Sequence, residues 1–386
     1  MTAKKESRHL TRNLFLYVGV TVLGVGGMFA LAYAALPTFL SVSYNDPALV
    51  ASSTDDTPKG PPPPPPLDRD AYDKKLLELA HVATTSPWYF SFLAGTTTVT
   101  LPGATTSITV AKKLWPVRAA YPADGRALLP FNRIVAYYGN FYSKGMGVLG
   151  QYPEEEMLQK LKDTVAQWEA ADPSTPVVPA IDYITVVAQG SAGKDGKYRA
   201  RMPDDQIDHA LALAEQLNGI VILDIQVGLS NLPAELPLYE DYLKRPNVHL
   251  AIDPEFAMHN GTPPGRVIGT FDAADVNYAA EYLANLVRQY NLPPKVLIVH
   301  RFTEDMVTNY KKITPLPEVQ VVVDMDGWGD QHKKIGTYTY TVAAEPVQFT
   351  GFKLFYKNDL LPPSTGMLTP EQVLKLTPSA SFIQYQ

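Results

Sequence analysis

Cysteine is missing from all 386 residues. A chain without thiols has no disulfide staples, no thiolate zinc site, no iron–sulfur cluster, no cysteine nucleophile and no lipidated N-terminal cysteine. An excess of positive charge is missing too: 33 Lys and Arg against 39 Asp and Glu leave a net charge of −6. Such a chain has no electrostatic footprint for a phosphate backbone, and nucleic acid is excluded as a partner. There is no Gly-rich phosphate loop, because the first candidate strand runs into Tyr138-Gly139-Asn140-Phe141-Tyr142. Paired metal motifs of the His-x-His or His-Glu-x-x-His kind are also absent, and no cofactor is expected. Apolar residues are not scarce. At 46% they fill a sizeable core and exclude disorder over most of the length.

Long hydrophobic runs are limited to one. No residue between Arg12 and Asp46 is charged, and Leu14–Leu36, at ~1.5 Å per residue, is long enough to cross a bilayer core of ~30 Å. Residues 13–40 therefore read as a single transmembrane helix, with a cleaved signal peptide as the rival because Ala32-Tyr33-Ala34 has a small-x-small pattern. Lys4, Lys5, Arg8 and Arg12 precede the span and Asp46, Asp55 and Asp56 follow it, which puts residues 1–12 in the cytoplasm and the rest outside the cell membrane. The lipid bilayer is thus an expected partner, and a membrane-protein partner is open. Residues 41–68 read as an extended linker whose Pro61–Pro66 run favours polyproline II.

Residues 69–130 read as a small α+β lead-in: a helix over 69–82 carrying Tyr72, Leu76, Leu77 and Leu79, then a hairpin around Pro102-Gly103. From 131 to 386 the rhythm is regular. Short Val/Ile-rich runs at 134–139, 177–184, 219–228, 248–256, 295–303, 319–326, 347–356 and 381–385 have the unbroken apolar character of parallel strands buried on both faces. Between them, Pro153 with Glu154–Glu156, Pro203-Asp204-Asp205, Asp272 and Thr369-Pro370-Glu371 signal helix starts. One connection breaks the rule, because Tyr338, Tyr340 and Val342 alternate as in a strand. Eight strand–helix units in one domain predict an α/β fold, a (β/α)8 TIM-type barrel, whose active site would lie at the C-terminal ends of the strands.

Those ends carry Tyr138 and Asn140, Asp182, Asp224 and Gln226, Asp253 and Glu255, His300, Asp324 and Asp326, Lys353 and Tyr356, and Gln384. Carboxylates that end apolar runs are costly to bury unpaired, so they face a polar mouth, one another or a cation. Several pairs are spaced i, i+2, which places both members on one side of a strand. Two carboxyl groups, one protonated and one ionised, are what glycoside hydrolysis requires. Crowding of like charges keeps one of them protonated near neutral pH. Glu255 is the expected proton donor, with Asp326 or Asp324 as its partner and Asp253 as a further candidate. Asn140, Asp182, Asp224, Gln226, His300 and Lys353 would bind and orient the substrate, and Tyr138, Tyr142, Phe256 and Trp328 offer faces for sugar rings. The other histidines lie in contexts where surface or packing roles suffice.

Tyr-Tyr-Gly-Asn at 137–140, Met-Gly-Val-Leu-Gly at 146–150, Pro-Ala-Ile-Asp-Tyr-Ile at 179–184, Asp-Ile-Gln-Val-Gly at 224–228, Asp-Pro-Glu-Phe at 253–256, Val-His-Arg-Phe-Thr at 299–303 and Asp-Met-Asp-Gly at 324–327 resemble an exported bacterial barrel family. Its members are described as lipoproteins or glycoside-hydrolase-like proteins of unassigned activity. The resemblance spans roughly 130–386 and implies a sugar-hydrolase-type barrel acting on, or binding, cell-surface polysaccharide. Having no cysteine, this chain departs from the lipoprotein members, so its anchor would be the helix. Two alternatives stand beside the two-carboxylate enzyme: a non-catalytic surface barrel, and a metal-dependent hydrolase using Asp324, Asp326, His300 and Asp253.

Overall fold

Apolar β-branched runs joined by amphipathic helices bury both faces of each strand, and this dictates the architecture. The computed structural model describes residues 62–81, 96–100, 107–111, 114–117 and 119–386, so the 13–40 span lies outside the described residues. Among the described residues, no helix is long and apolar enough to cross a membrane. The elements in chain order are α1 (Arg69–Leu79), β1 (Thr96–Thr100), β2 (Ser107–Ala111), β3 (Arg133–Gly139), α2 (Glu154–Ala171), β4 (Val177–Ala188), β5 (Arg199–Arg201) and α3 (Asp204–Gln216). Next come β6 (Ile220–Ile225), α4 (Leu232–Glu235), α5 (Glu240–Leu243), β7 (Val248–Ile252), β8 (Phe271–Asp272), α6 (Ala273–Tyr290), β9 (Lys295–Arg301) and β10 (Val307–Thr308). The last are β11 (Val319–Met325), α7 (Gln331–Thr337), β12 (Phe349–Leu354), α8 (Pro370–Leu374) and β13 (Phe382–Tyr385).

Strands β3, β4, β6, β7, β9, β11, β12 and β13 pair in parallel in that order, and β13 pairs with β3, so the sheet closes into an eight-stranded barrel. β1 and β2 form a separate antiparallel hairpin. The helix-start devices operate as local physics requires. Pro153 and Pro203 precede α2 and α3, whose first turns carry Glu154–Glu156 and Asp204–Asp205, and these acids meet the positive end of each helix dipole. Asp272 and Thr369 build capping boxes on α6 and α8.

Two expectations need correction. The Tyr338–Val342 stretch is not strand-like: α7 continues into a π-helical turn over Tyr338–Ala343. Tyr338 and Val342, four apart, are buried, while Tyr340 is 70% exposed, so the apparent alternation was one buried helical stripe with a solvent-facing residue between. The unit after β9 has no α-helix, only 3-10 turns at Glu304–Met306 and Tyr310–Lys312. The buried Arg301 organises this loop by donating to the carbonyls of Thr303, Glu304 and Val307, and Asn309 sits at φ 56°, where a helix cannot run on.

Inside the barrel the lower inward positions, among them Ile134, Ile222, Ile298, Val322 and Phe349, form one apolar cluster with Tyr72 of α1 and Leu129. Gln320 clamps this closure, accepting from the Leu129 N–H at 3.0 Å and donating to its carbonyl at 2.6 Å. The end of the predicted linker is docked here as well: Leu67 packs on that cluster, and the Pro65 carbonyl accepts from the Gly125 N–H at 2.7 Å. Apolar contacts seal the bottom of the barrel, and its interior carboxyl groups, among them Asp182, Asp224 and Asp324, stand toward the C-terminal ends of the strands.

Candidate active site

One inward step above the apolar cluster, the strands present Asp182, Asp224, His300, Asp324 and Gln384, all with no exposed surface. Asp324 stands beside Gly351 in the β11–β12 register. A Cβ at 351 would collide with the Asp324 carboxyl and the Phe382 ring, so the glycine makes room for the acid. Gln384 Nε2 donates to Asp182 Oδ2 at 2.6 Å, and His300 Nε2 lies 3.1 Å from Asp224 Oδ2. His300 Nδ1 is 3.4 Å from both Asp324 Oδ2 and Asp326 Oδ2. Burial would discharge the imidazole, but the Asp224 charge and hydrogen bond, with Asp324 and Asp326 behind them, hold its pKa well above the ordinary value. Burial, reinforced by Asp224, pushes the Asp182 carboxyl well up, and burial also raises Asp324. Asp182 Oδ1, Asp224 Oδ1 and both Asp324 oxygens have no hydrogen-bond partner.

The next step up opens into a cavity of about 830 Å³ lined by Tyr138, Gln226, Asp253, Glu255, Asp326 and Lys353, with Phe256, Trp328 and Phe355 among the aromatics around them. Lys353 is its buried cation, with Nζ 3.1 Å from Asp326 Oδ1 and 3.8 Å from the centre of the Tyr138 ring. Desolvation works against that ammonium, yet Asp326, Asp324 and Asp253 raise its pKa overall. Gln226 Nε2 donates to the Tyr138 hydroxyl at 3.1 Å and to Asp253 Oδ2 at 3.2 Å, while its Oε1 accepts from the Ala188 N–H at 3.1 Å. Asp253 is held well above the usual carboxylate range by burial and by the Asp224 and Glu255 charges, with His300 opposing.

Glu255 does not continue the strand, as the 248–256 reading expected. β7 ends at Ile252, and Glu255 projects from a 3-10 turn, Pro254–Phe256, capped by Asp253 Oδ1 accepting from the Glu255 N–H at 3.0 Å. Burial and the neighbouring Asp326 charge lift its carboxyl to about 7, against the pull of Lys353 and His300. Among the cavity-lining acids it is the least buried.

The loop after β11 carries the exposed aromatic. Lys334 is 1% exposed, and its Nζ donates to the carbonyls of Gly327 (2.8 Å) and Lys353 (2.7 Å) while pairing with Asp359 Oδ2 at 2.9 Å. Asp359 in turn accepts from the Gly329 and Phe355 N–H groups. One buried ion pair therefore ties the turn that follows Asp326 to the backbone of Lys353.

Of the residues expected at the site, Glu255, Asp326, Asp253, Tyr138, Gln226, Trp328 and Lys353 line the cavity. Asp182, Asp224, His300 and Asp324 lie beneath it and support it. Asn140 is elsewhere: its side chain is spent on the Tyr183 hydroxyl, the Ile184 carbonyl and the Tyr142 N–H, so it shapes the first loop. Tyr142 is 64% exposed and away from the cavity, and Tyr356 bonds the Tyr137 hydroxyl. Sequence reasoning overlooked Lys333, Lys334, Asp359 and Phe355. Only Phe355 carried a signal, since Phe349, Gly351, Lys353 and Phe355 share the period of two. Among the described residues, no three His, Asp or Glu side chains are placed to hold a metal ion, and both His300 nitrogens face carboxylates.

Fold and cavity define the class: a closed eight-stranded (β/α)8-like barrel with an acidic cleft at the C-terminal ends of its strands. No family model matches the chain, and no curated protein does. Among solved structures it is similar to the cellulase Cel5C_n, at 14% identity and a TM-score of 0.34, over 68% of this chain and 71% of that one. It is also similar to a GH5-4 broad specificity endoglucanase from an uncultured bovine rumen ciliate, at 11% identity and a TM-score of 0.32, over 61% and 76%. A ruminal GH26 endo-β-1,4-mannanase matches at 8% identity and a TM-score of 0.34, over 72% and 67%.

Proposed function

We propose that the barrel is a glycoside hydrolase of cell-surface polysaccharide, held outside the cell membrane by residues 13–40, with Glu255 as proton donor and Asp326 as anionic partner. The observation that carries this reading is two carboxyl groups on one cavity wall in unlike surroundings: Glu255, which burial and the Asp326 charge push up, and Asp326, gripped by Lys353 at 3.1 Å. A donor must be protonated at working pH and its partner must not be. Asp326 is preferred to Asp324 because it reaches the cavity, whereas both Asp324 oxygens are sealed beneath. His300 and Lys353 hold Asp326 in place, Gln226 and Asp253 fix the wall that carries Tyr138, and Trp328 offers a face for a sugar ring.

The test is release of reducing ends from a panel of bacterial surface polysaccharides by the full chain, with Glu255→Gln and Asp326→Asn as comparators. Each variant is expected to lose about 10²–10⁴-fold in kcat, and proton NMR of the first-formed anomer assigns retention or inversion. Full activity in Glu255→Gln overturns the assignment. Binding without cleavage by the wild type makes the barrel a glycan-binding module instead.

A further inference from the structure

Trp328 is half exposed, yet its backbone is fixed on both sides. Its preceding carbonyl, Gly327 O, accepts from Lys334 Nζ at 2.8 Å, and its following amide, Gly329 N–H, donates to Asp359 Oδ1 at 3.0 Å. Lys334 and Asp359 are each 1% exposed, and a buried ion pair costs desolvation that its own attraction only partly offsets. This pair therefore holds the backbone on both sides of an indole that stands on the cavity wall.

Beside the indole stands Lys333, also on the cavity wall, with Nζ 4.9 Å from the ring centre. Lys353 is paired with Asp326 and Lys334 with Asp359. Lys333 has an aromatic neighbour and no carboxylate partner among the described residues. Gly329, at φ +141°, gives it room: a Cβ there would meet Lys333 Cδ at 2.9 Å. A cation–π contact at an exposed site is weak and the lysine stem is flexible, so the ammonium is free to leave the ring for a stronger anion.

We infer that the cavity takes an anionic glycan, in which one sugar stacks on Trp328 and its negative group, a carboxylate or a sulfate, is bound by Lys333. The inference rests on the reading of this cavity as a glycan site. The charged sugar occupies a position beside the scissile bond, because the Asp326 carboxylate would repel an anion placed next to it. A neutral sugar would need the indole and hydrogen bonds alone and would leave Lys333 without a role.

Calorimetric binding to full-chain Glu255→Gln, in which turnover is expected to be strongly slowed, tests this with three probes: an oligoglucuronate, a sulfated galactan oligosaccharide and a neutral cello-oligosaccharide. An acidic probe is expected to bind at least about tenfold more tightly than the neutral one, with the preference erased by Lys333→Met and by high salt, while Trp328→Ala weakens every probe that binds. The stronger of the two acidic probes identifies the anionic group. Equal binding of neutral and acidic probes, unchanged by Lys333→Met, overturns the inference and leaves the glycan site standing. Failure of all three probes to bind overturns both.

Discussion

The proton on Glu255 makes stability depend on pH in a way that a glutamine cannot reproduce. In the folded chain the carboxyl titrates at about 7, against an ordinary 4.5, and a difference of that size corresponds to about 3 kcal/mol. The sign follows from which state holds more protons. Between pH 4.5 and 7 the folded state keeps the Glu255 proton that the unfolded state has lost, so stability falls as pH rises. The contribution is whole below about pH 4.5 and gone above about pH 7, because a buried carboxylate beside Asp326 then has to be tolerated. Glu255→Gln keeps the volume and the neutral form at every pH. In urea unfolding followed by tryptophan fluorescence, variant and wild type should have similar stability at about pH 4.5, and the variant should gain on the wild type by about 3 kcal/mol by about pH 8. Part of that gain should vanish in an Asp326→Asn background, since the Asp326 charge is the second cause of the shift after burial, and the part owed to burial should remain. A difference that stays constant across the range, or that favours the variant at low pH, would refute the account of Glu255 as a proton-holding acid.

Lys353→Met leaves Asp326 without its closest cation and removes the ammonium over Tyr138, so it should cost about 3–5 kcal/mol in urea titrations; Lys353→Met/Asp326→Asn should recover part of that loss. Lys334→Met strands Asp359, which is 1% exposed, and should cost a similar amount. The Lys334→Met/Asp359→Asn double variant should fall short of the sum of its singles, showing a coupling of about 1–3 kcal/mol in a double-mutant cycle. Gly147 lies at φ +143°, where an added Cβ would overlap the Tyr138 carbonyl. Gly147→Ala should therefore destabilise by about 2–5 kcal/mol, seen as a lowered Tm, through strain and overpacking at the end of β3.

The barrel was legible because strands buried on both faces spell themselves as unbroken apolar runs, and the carboxylate at the end of each run marked its top. Asp224 and Asp324 end such runs at the C-terminal ends of β6 and β11. Legibility failed where local pattern and tertiary use diverge. Asn140 follows the first strand as a site residue would, but an Asn there also closes a turn, and nothing local distinguishes the two uses. Tyr338 and Val342 fit periods of two and four equally, and only the depth of each side chain separates them. Lys334 and Asp359 lie in a helix and a loop that read as solvated, and the 24 residues between them hide their pairing at 2.9 Å.

Charge counting explains why the cleft has a proton to give. Asp182, Asp224, Asp253, Glu255, Asp324 and Asp326 are gathered at one end of the barrel, against two cations, His300 and Lys353. Six carboxyl groups around two positive charges, most of them buried, is an arrangement that raises the pKa of some of the acids. The geometry decides where protons stay and where one is useful. Burial raises the Asp182 and Asp324 carboxyls in the sealed layer, where no substrate reaches, while Glu255 stands on a turn at the cavity wall. The lower acids thus act on the upper ones through His300, whose ring spans Asp224 below and Asp326 above. His300→Gln, which keeps a donor but cannot carry a charge, should push Glu255 higher, because the imidazolium is one of the two groups opposing its rise. In the pH series of wild type against Glu255→Gln, both built on His300→Gln, the span over which the variant gains should therefore move to higher pH; a shift toward lower pH would show that His300 is not held as the cation between the two tiers.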